Sequence, residues 1–267
     1  MRVVDLDRDM ADVIPTGTTR DSAYLFERMT EVTLALATPP PGGTVLDVAS
    51  GFGQDSLALA ARGARVVGAE PSARMVGWAR LQGEGAAGPR PRYVRGWSDA
   101  LPFADGSFDA VLCKGAIDHF DRPELAIAEM ARVAKPDGRV VLAIANFGSL
   151  ACRAASALDD VREGWLGRAP ARGRRHYDVP ADHFTRYDLV EMRAQAERHL
   201  ALEVVEGVSL AWGLAAWTRL VERLPGAVAV RVLRCAGALA RRLPRYADVV
   251  VLAGRPRAAR RSASTSR

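Results

Sequence analysis

Val45-Leu-Asp-Val-Ala-Ser-Gly-Phe-Gly-Gln54 is the stretch whose reading decides the fold. It opens as an apolar strand and passes into a turn of small residues. Asp55-Ser-Leu-Ala-Leu-Ala-Ala-Arg-Gly63 follows with helical spacing and a closing glycine. Strand, tight turn and helix in that order build a ligand site. The helix N-terminus presents N–H groups without intrahelical partners, and glycine lets a ligand approach the backbone.

Working outward, Tyr24, Leu25, Met29, Val32 and Leu36 recur at helical spacing and predict a helix over 21–37. Ala64 to Glu70 has strand length. Pro71-Ser72 ends it, with Ser72 as N-cap of a helix to about Leu81. Residues 92–95 and 108–113 read as strands. Asp121-Arg-Pro-Glu124 is a helix-start signature with Glu124 at the reach-back position, for a helix to about Ala134. Lys135-Pro-Asp-Gly138 reads as the turn into a strand over 139–145.

Beyond Asn146 the alternation breaks. Residues 148–182 are rich in Arg, Gly, Pro and His, with two short helical patches. Thr185-Arg-Tyr-Asp188 reads as a cap for a helix to His199. Residues 202–208 and 248–253 read as strands, and 210–243 as helical with a break at Pro225-Gly226. The expectation is α/β: a doubly wound, mostly parallel sheet of seven strands, the last antiparallel, with a helical cap from 148–200 and 210–243. It divides the chain into a flexible arm (1–20), a single domain (21–254) whose core at 44–145 carries the ligand turn, and a disordered basic tail (255–267).

The 267 residues are half apolar and a quarter charged, an ordinary globular balance. The formal charge is +6, and Lys114 and Lys135 are the only lysines. Arginine is spread along the chain rather than gathered into a nucleic-acid footprint. Cys113, Cys152 and Cys235 form no CxxC pair and fit a reducing compartment. No signal-peptide pattern and no run of about 18 apolar residues occurs, so the reading is a cytoplasmic protein without a transmembrane segment.

Small residues two apart behind an acid, Asp47-x-Ala49-x-Gly51-x-Gly53, form a different turn from the nicotinamide pattern, which wants a third glycine where Gln54 stands. Over about 44–145 the chain resembles class I S-adenosylmethionine-dependent methyltransferases, in their broad small-molecule group. The resemblance implies that Asp47, Ala49, Gly51 and Gly53 line the methionine part of S-adenosylmethionine, Ala49 standing where the family has its first glycine. Glu70, at the end of the second strand, is placed to accept the ribose hydroxyls as acids do in dinucleotide folds. Ser72 and Met75 would flank ribose and adenine.

Gly96-Trp-Ser-Asp-Ala-Leu-Pro-Phe103 resembles the segment where many members place an adenine-binding Asp. Trp97 occupies that position here and Asp99 falls two later. Trp97 and Ser98 are the preferred adenine contacts, with a local shift of Asp99 the alternative. In Lys114-Gly-Ala-Ile-Asp118-His119, Lys114 or its backbone would border the methionine end. His119 suits a general base at neutral pH. No metal is expected, and His176 and His183 read as lid or surface residues. The Asn/Asp-Pro-Pro-aromatic motif and the Pro-Cys pair of nucleic-acid enzymes are absent, which argues against a nucleic-acid substrate.

Tyr24 is either a core aromatic or a lid over the cofactor. Residues 210–243 are amphipathic and cationic. Core or interface packing is the preferred reading, with a substrate cover, a dimer surface or peripheral membrane contact as alternatives. The function implied is methyl transfer to a small organic acceptor at O or N. A nucleoside-binding protein without catalysis and a nicotinamide oxidoreductase are the alternatives.

Overall fold

A computed structural model describes residues 18–85, 88–169 and 186–257. Seven strands form one sheet: β1 (Thr44–Val48), β2 (Arg65–Ala69), β3 (Arg92–Val94), β4 (Phe108–Lys114), β5 (Ala134–Ala145), β6 (Leu200–Val208) and β7 (Val249–Pro256). Their order is β3-β2-β1-β4-β5-β7-β6. β3, β2, β1, β4 and β5 pair in parallel, and β7 runs antiparallel to both its neighbours. This is the expected doubly wound sheet.

Alternation within the strands assigns the two faces. Val45, Val66, Ala110, Leu112, Val141 and Val251 pack with Leu25, Val32 and Leu34 of α1 (Arg20–Ala37) and Leu59 of α2 (Gln54–Ala61). On the other face Leu46, Val48, Val111, Val140, Leu142 and Ile144 meet Ile127 and Met130 of α4 (Pro123–Val133) and Met192 of α6 (Leu189–His199). Between these helices in sequence, α3 (Ala73–Glu84) closes over Tyr93 through Val76 and Ala79. Both faces are covered, which is why the central strands read as continuous apolar runs. α5 (Leu150–Gly164), α7 (Ala215–Arg223) and α8 (Gly226–Arg242) complete the chain.

Several boundaries differ from expectation, each for a local reason. Lys135–Gly138 is not a turn: β5 starts at Ala134, and the irregularity appears as a register shift opposite Phe108 and Ala110. Residues 150–164 form a helix, with Ser149 accepting from Cys152 N as its cap, and the part of the expected 148–182 segment from 170 on lies outside the described residues. Glu124 does not reach back to its own helix start. Its carboxylate pairs with Arg198 at 2.8 Å, and the N-cap is Arg122. Asp188 caps α6, accepting from Glu191 N, as expected, while Thr185 lies outside the described residues. β7 runs past its expected end to Pro256, because Arg255 pairs with Glu203 and Arg257 N bonds His199 O. The expected arm up to Gly17, the tail from 258, His176 and His183 lie outside the described residues.

Candidate nucleoside and acceptor site

The parallel strands all end on one edge of the sheet, and the loops after β1, β2, β4 and β5 open there. Chain order reverses between β1 and β4, the position where open α/β sheets leave a crevice for ligand. The turn after β1 is built from left-handed residues: Ala49 at φ 56°, Gly51 at 52° and Gly53 at 83°. Ala49 N and Ser50 N both donate to Ala69 O, and Gly53 N to Ser50 O, so the turn is tied to β2. A side chain at Gly53 would collide with the Tyr93 hydroxyl, whereas one at Gly51 would meet nothing within 4 Å. Gly53 therefore seats the turn on the protein, while Gly51 turns bare backbone to open space. No side chain caps α2, whose first N–H groups face this crevice.

Glu70 closes the crevice from β2. Its Oε2 accepts from Gly51 N and its Oε1 from Ser72 N, both at 3.0 Å. Burial raises its pKa, and these two backbone bonds oppose the rise. Each oxygen is left with capacity for one further donor, which matches a pair of ribose hydroxyls. Ser72 is committed to the protein: its hydroxyl caps α3 by accepting from Met75 N at 3.2 Å. Met75 is fully buried beside it. Asp47 lies under the turn rather than in it. It is buried, accepts from Ser56 Oγ at 2.6 Å, and has its pKa driven well above the usual carboxylate range by burial and by Asp55.

Trp97 and Ser98 are half-buried after β3, and Trp97 pairs with Ala100 in an isolated bridge. Asp99 turns to Arg122 at 3.4 Å, toward the start of α4. Lys114, at the end of β4, aims its ammonium at Asp55 and Thr30, each at 2.7 Å. It thereby links β4, α2 and α1, and only its backbone continues along the edge. Ile117–His119 form a single 3-10 turn there, with Asp118 buried and His119 exposed.

Other residues of this edge carry no sequence motif. Asn146 is buried after β5. Its Nδ2 donates to Arg245 O and Ala247 O, and its Oδ1 accepts from Gly148 N. That anchoring shapes a polar cleft of about 340 Å3 among Phe147, Gly148, Arg153, Arg186, Asp188 and Glu191. Asn146 directly follows a strand, which is the one signal that marked it. A second cavity, about 800 Å3, lies away from the turn, between α1 and α8, with Tyr24 and Leu233 in its wall. Tyr24 thus packs toward α8 at Gly237 and is not a lid over the β1 turn. Among the described residues no cluster of His, Cys, Asp and Glu is arranged to hold a metal ion.

Residues 46–142 match the family model of a methyltransferase domain. The chain is 42% identical over 108 residues to an uncharacterized methyltransferase of Mycobacterium sp. (strain JLS), covering 40% of this chain and 41% of that protein. It is 42% identical over 106 residues to a demethylmenaquinone methyltransferase of Clavibacter sepedonicus, covering 39% and 42%. The matches thus span about two fifths of the length of these curated relatives.

Solved structures resemble it over more of its length. One is the magnesium protoporphyrin IX methyltransferase of Synechocystis with bound SAH (TM-score 0.59, 17% identity, 93% of this chain and 92% of that one). Another is a chain from the Haloferax volcanii complex of a methyltransferase activator (TM-score 0.59, 20% identity, 95% and 98%). At such identities they speak for the fold. The segment that matches in sequence, 46–142, is the one that carries the turn and Glu70, and over that segment the chain is similar to a methyltransferase domain, as the resemblance to class I S-adenosylmethionine-dependent enzymes led one to expect.

Proposed function

We propose that the chain transfers a methyl group from S-adenosylmethionine to a small organic acceptor, at oxygen or nitrogen. The observation that carries this reading is Glu70: a buried carboxylate, fixed by two backbone N–H groups, with one acceptor position left on each oxygen. When bound, S-adenosylmethionine supplies an electrophilic methyl group on sulfonium. Glu70 accepts the ribose hydroxyls, Trp97 and Ser98 border the adenine, and Ala49, Gly51 and Gly53 hold the methionine part by backbone contact. Lys114 keeps α2 in register through Asp55, so the open helix terminus stays aimed at the crevice.

The acceptor enters over the edge beyond β4 and β5, where the cleft by Phe147 and Arg186 opens. His119 takes the proton of an acceptor O–H or N–H on a ring nitrogen. Orientation of the two reactants is worth about 7–11 kcal/mol in favourable cases, and a base adds about two to four orders of magnitude.

Calorimetry with S-adenosylhomocysteine, followed by a search for labelled product in a cell extract supplied with labelled cofactor, tests the reading. Glu70→Gln is expected to weaken binding by about 10- to 100-fold, as befits loss of hydrogen bonds to a charged acceptor. His119→Gln is expected to leave binding unchanged and to slow turnover by about 100-fold or more. Equal affinity of wild type and Glu70→Gln removes the ribose assignment. Tight binding with no labelled product leaves a nucleoside-binding protein in place of an enzyme.

A further inference from the structure

The site above leaves α7 and α8 without a task. Residues 215–246 hold seven arginines and one acid, Glu222. That acid is already taken by Arg20. Several arginines elsewhere are matched to acids: Arg132 with Glu129 and Asp105, Arg139 with Glu203, Arg198 with Glu124. Arg219 and Arg223 of α7 and Arg231 and Arg242 of α8 are exposed and have no carboxylate partner among the described residues.

The same helices expose aliphatic side chains beside these charges. α8 packs inward through Ala229, Leu233 and Ala240. Val228, Val232, Cys235, Leu239 and Leu243 follow one another at spacings of four, three, four and four, making a stripe along its flank. Val228, Leu239 and Leu243 are 42%, 48% and 44% exposed. Arg231 and Arg242 stand three residues from Val228 and Leu239 and so border the stripe. α7 repeats the arrangement, with Leu220 51% exposed between Arg219 and Arg223.

Unmatched cations beside exposed aliphatics on a helix surface are the chemistry of a lipid interface. Arginine stems cover apolar surface while the guanidinium groups meet phosphate, and aliphatic side chains enter the acyl boundary. A nucleic-acid surface would ask for the charge without the Val and Leu stripe. We propose that the α7–α8 face docks this protein on an anionic phospholipid bilayer. Among the described residues no helix is long and apolar enough to cross one, so the contact is peripheral. The loop Ser209–Gly213, which leads into α7, leaves β6 on the same sheet edge as the β1 turn. Docking therefore brings that edge to the membrane surface. The inference stands on the helix face and does not require the methyl-transfer reading.

Vesicle sedimentation of the full chain tests it. The protein is expected to pellet with phosphatidylglycerol-containing vesicles and to stay in solution with phosphatidylcholine alone. Raised salt should weaken the binding, since exposed charges are screened. Arg231→Glu with Arg242→Glu is expected to lower partition by about tenfold or more. Leu239→Asp is expected to lower it further at the same vesicle charge. Arg193→Glu with Arg198→Glu, both exposed on α6, is the charge-matched control and should leave partition unchanged; circular dichroism checks each variant for folding, and the exposed arginine pair serves if Leu239→Asp unfolds. No pelleting with anionic vesicles, equal pelleting with both kinds, or indifference to the double reversal overturns the proposal. So does arginine-dependent binding to duplex DNA without binding to vesicles.

Discussion

At the scale of single residues, Ala49 is the most informative position. It sits at φ 56°, in a region that costs an L-residue roughly 1–2 kcal/mol, where the related pattern has glycine. The bond from its N–H to Ala69 O at 2.8 Å holds it there. Ala49→Gly relieves the strain but gives the unfolded chain more freedom, and these effects nearly cancel. Urea unfolding is expected to show Ala49→Gly within about 1 kcal/mol of wild type. Ala49→Val should lose about 2 kcal/mol or more, since a β-branched residue tolerates this region poorly. Equal stability of the two variants would mean that the turn relaxes to another conformation. Ala49, Gly51 and Gly53 were legible in the sequence because their spacing encodes the turn. That Gly53 also makes room for the Tyr93 hydroxyl was not, since those residues are 40 apart and meet only across β2 and β3.

At the scale of elements, Lys114 joins three that are distant in sequence. Its ion pair with Asp55 is largely buried, the side chains being 18% and 13% exposed, and Thr30 of α1 completes its shell. Asp47 lies close enough to Asp55 to feel its charge. Removing the ammonium leaves two neighbouring carboxylates without their cation. Lys114→Met is therefore expected to cost about 2–3 kcal/mol in denaturant unfolding, with Asp55→Asn restoring part of the loss in the double variant. Strict additivity would show that the two do not act as a pair. From the sequence, Lys114 follows the fourth strand, and the methyltransferase resemblance implies that it or its backbone borders the methionine end. The direction of its side chain depends on the docking of α1, which no local pattern records. The Asp121–Glu124 signature marked the start of α4 correctly, but its reach-back did not form for the same reason: Glu124 pairs with Arg198, brought in by α6.

At the scale of the whole molecule, buried carboxylates set the response to pH. Asp248, before β7, accepts from Trp212 N at 3.0 Å, and burial raises its pKa to about 7. Asp47 shifts in the same direction. A carboxyl group with a raised folded pKa contributes stability that is complete below its unfolded pKa and is lost as pH rises through the folded value. Stability from these two groups is thus expected to fall between about pH 4 and pH 7. Asp109 does the opposite. Hydrogen bonds from Lys135 and Thr44 hold it at about 2, so its contribution is present at neutral pH and disappears toward pH 2. Urea midpoints at both ends of the pH 4–7 window should differ less in Asp248→Asn than in wild type. An unchanged difference would assign the slope to other groups.

The sequence by itself determined the winding of the sheet, the turn after β1 and the acid at the end of β2. All three are written in local terms: periods of two and 3.6, small residues at a fixed spacing, and the distance from one strand end to the next. Only the tertiary structure decided where Asp47 and Lys114 point, that Asn146 anchors the loop after β5, and that α7 and α8 show their arginines and leucines to solvent. Those outcomes depend on which side chains meet across gaps of tens to hundreds of residues. A pattern read along the chain holds no distance across it.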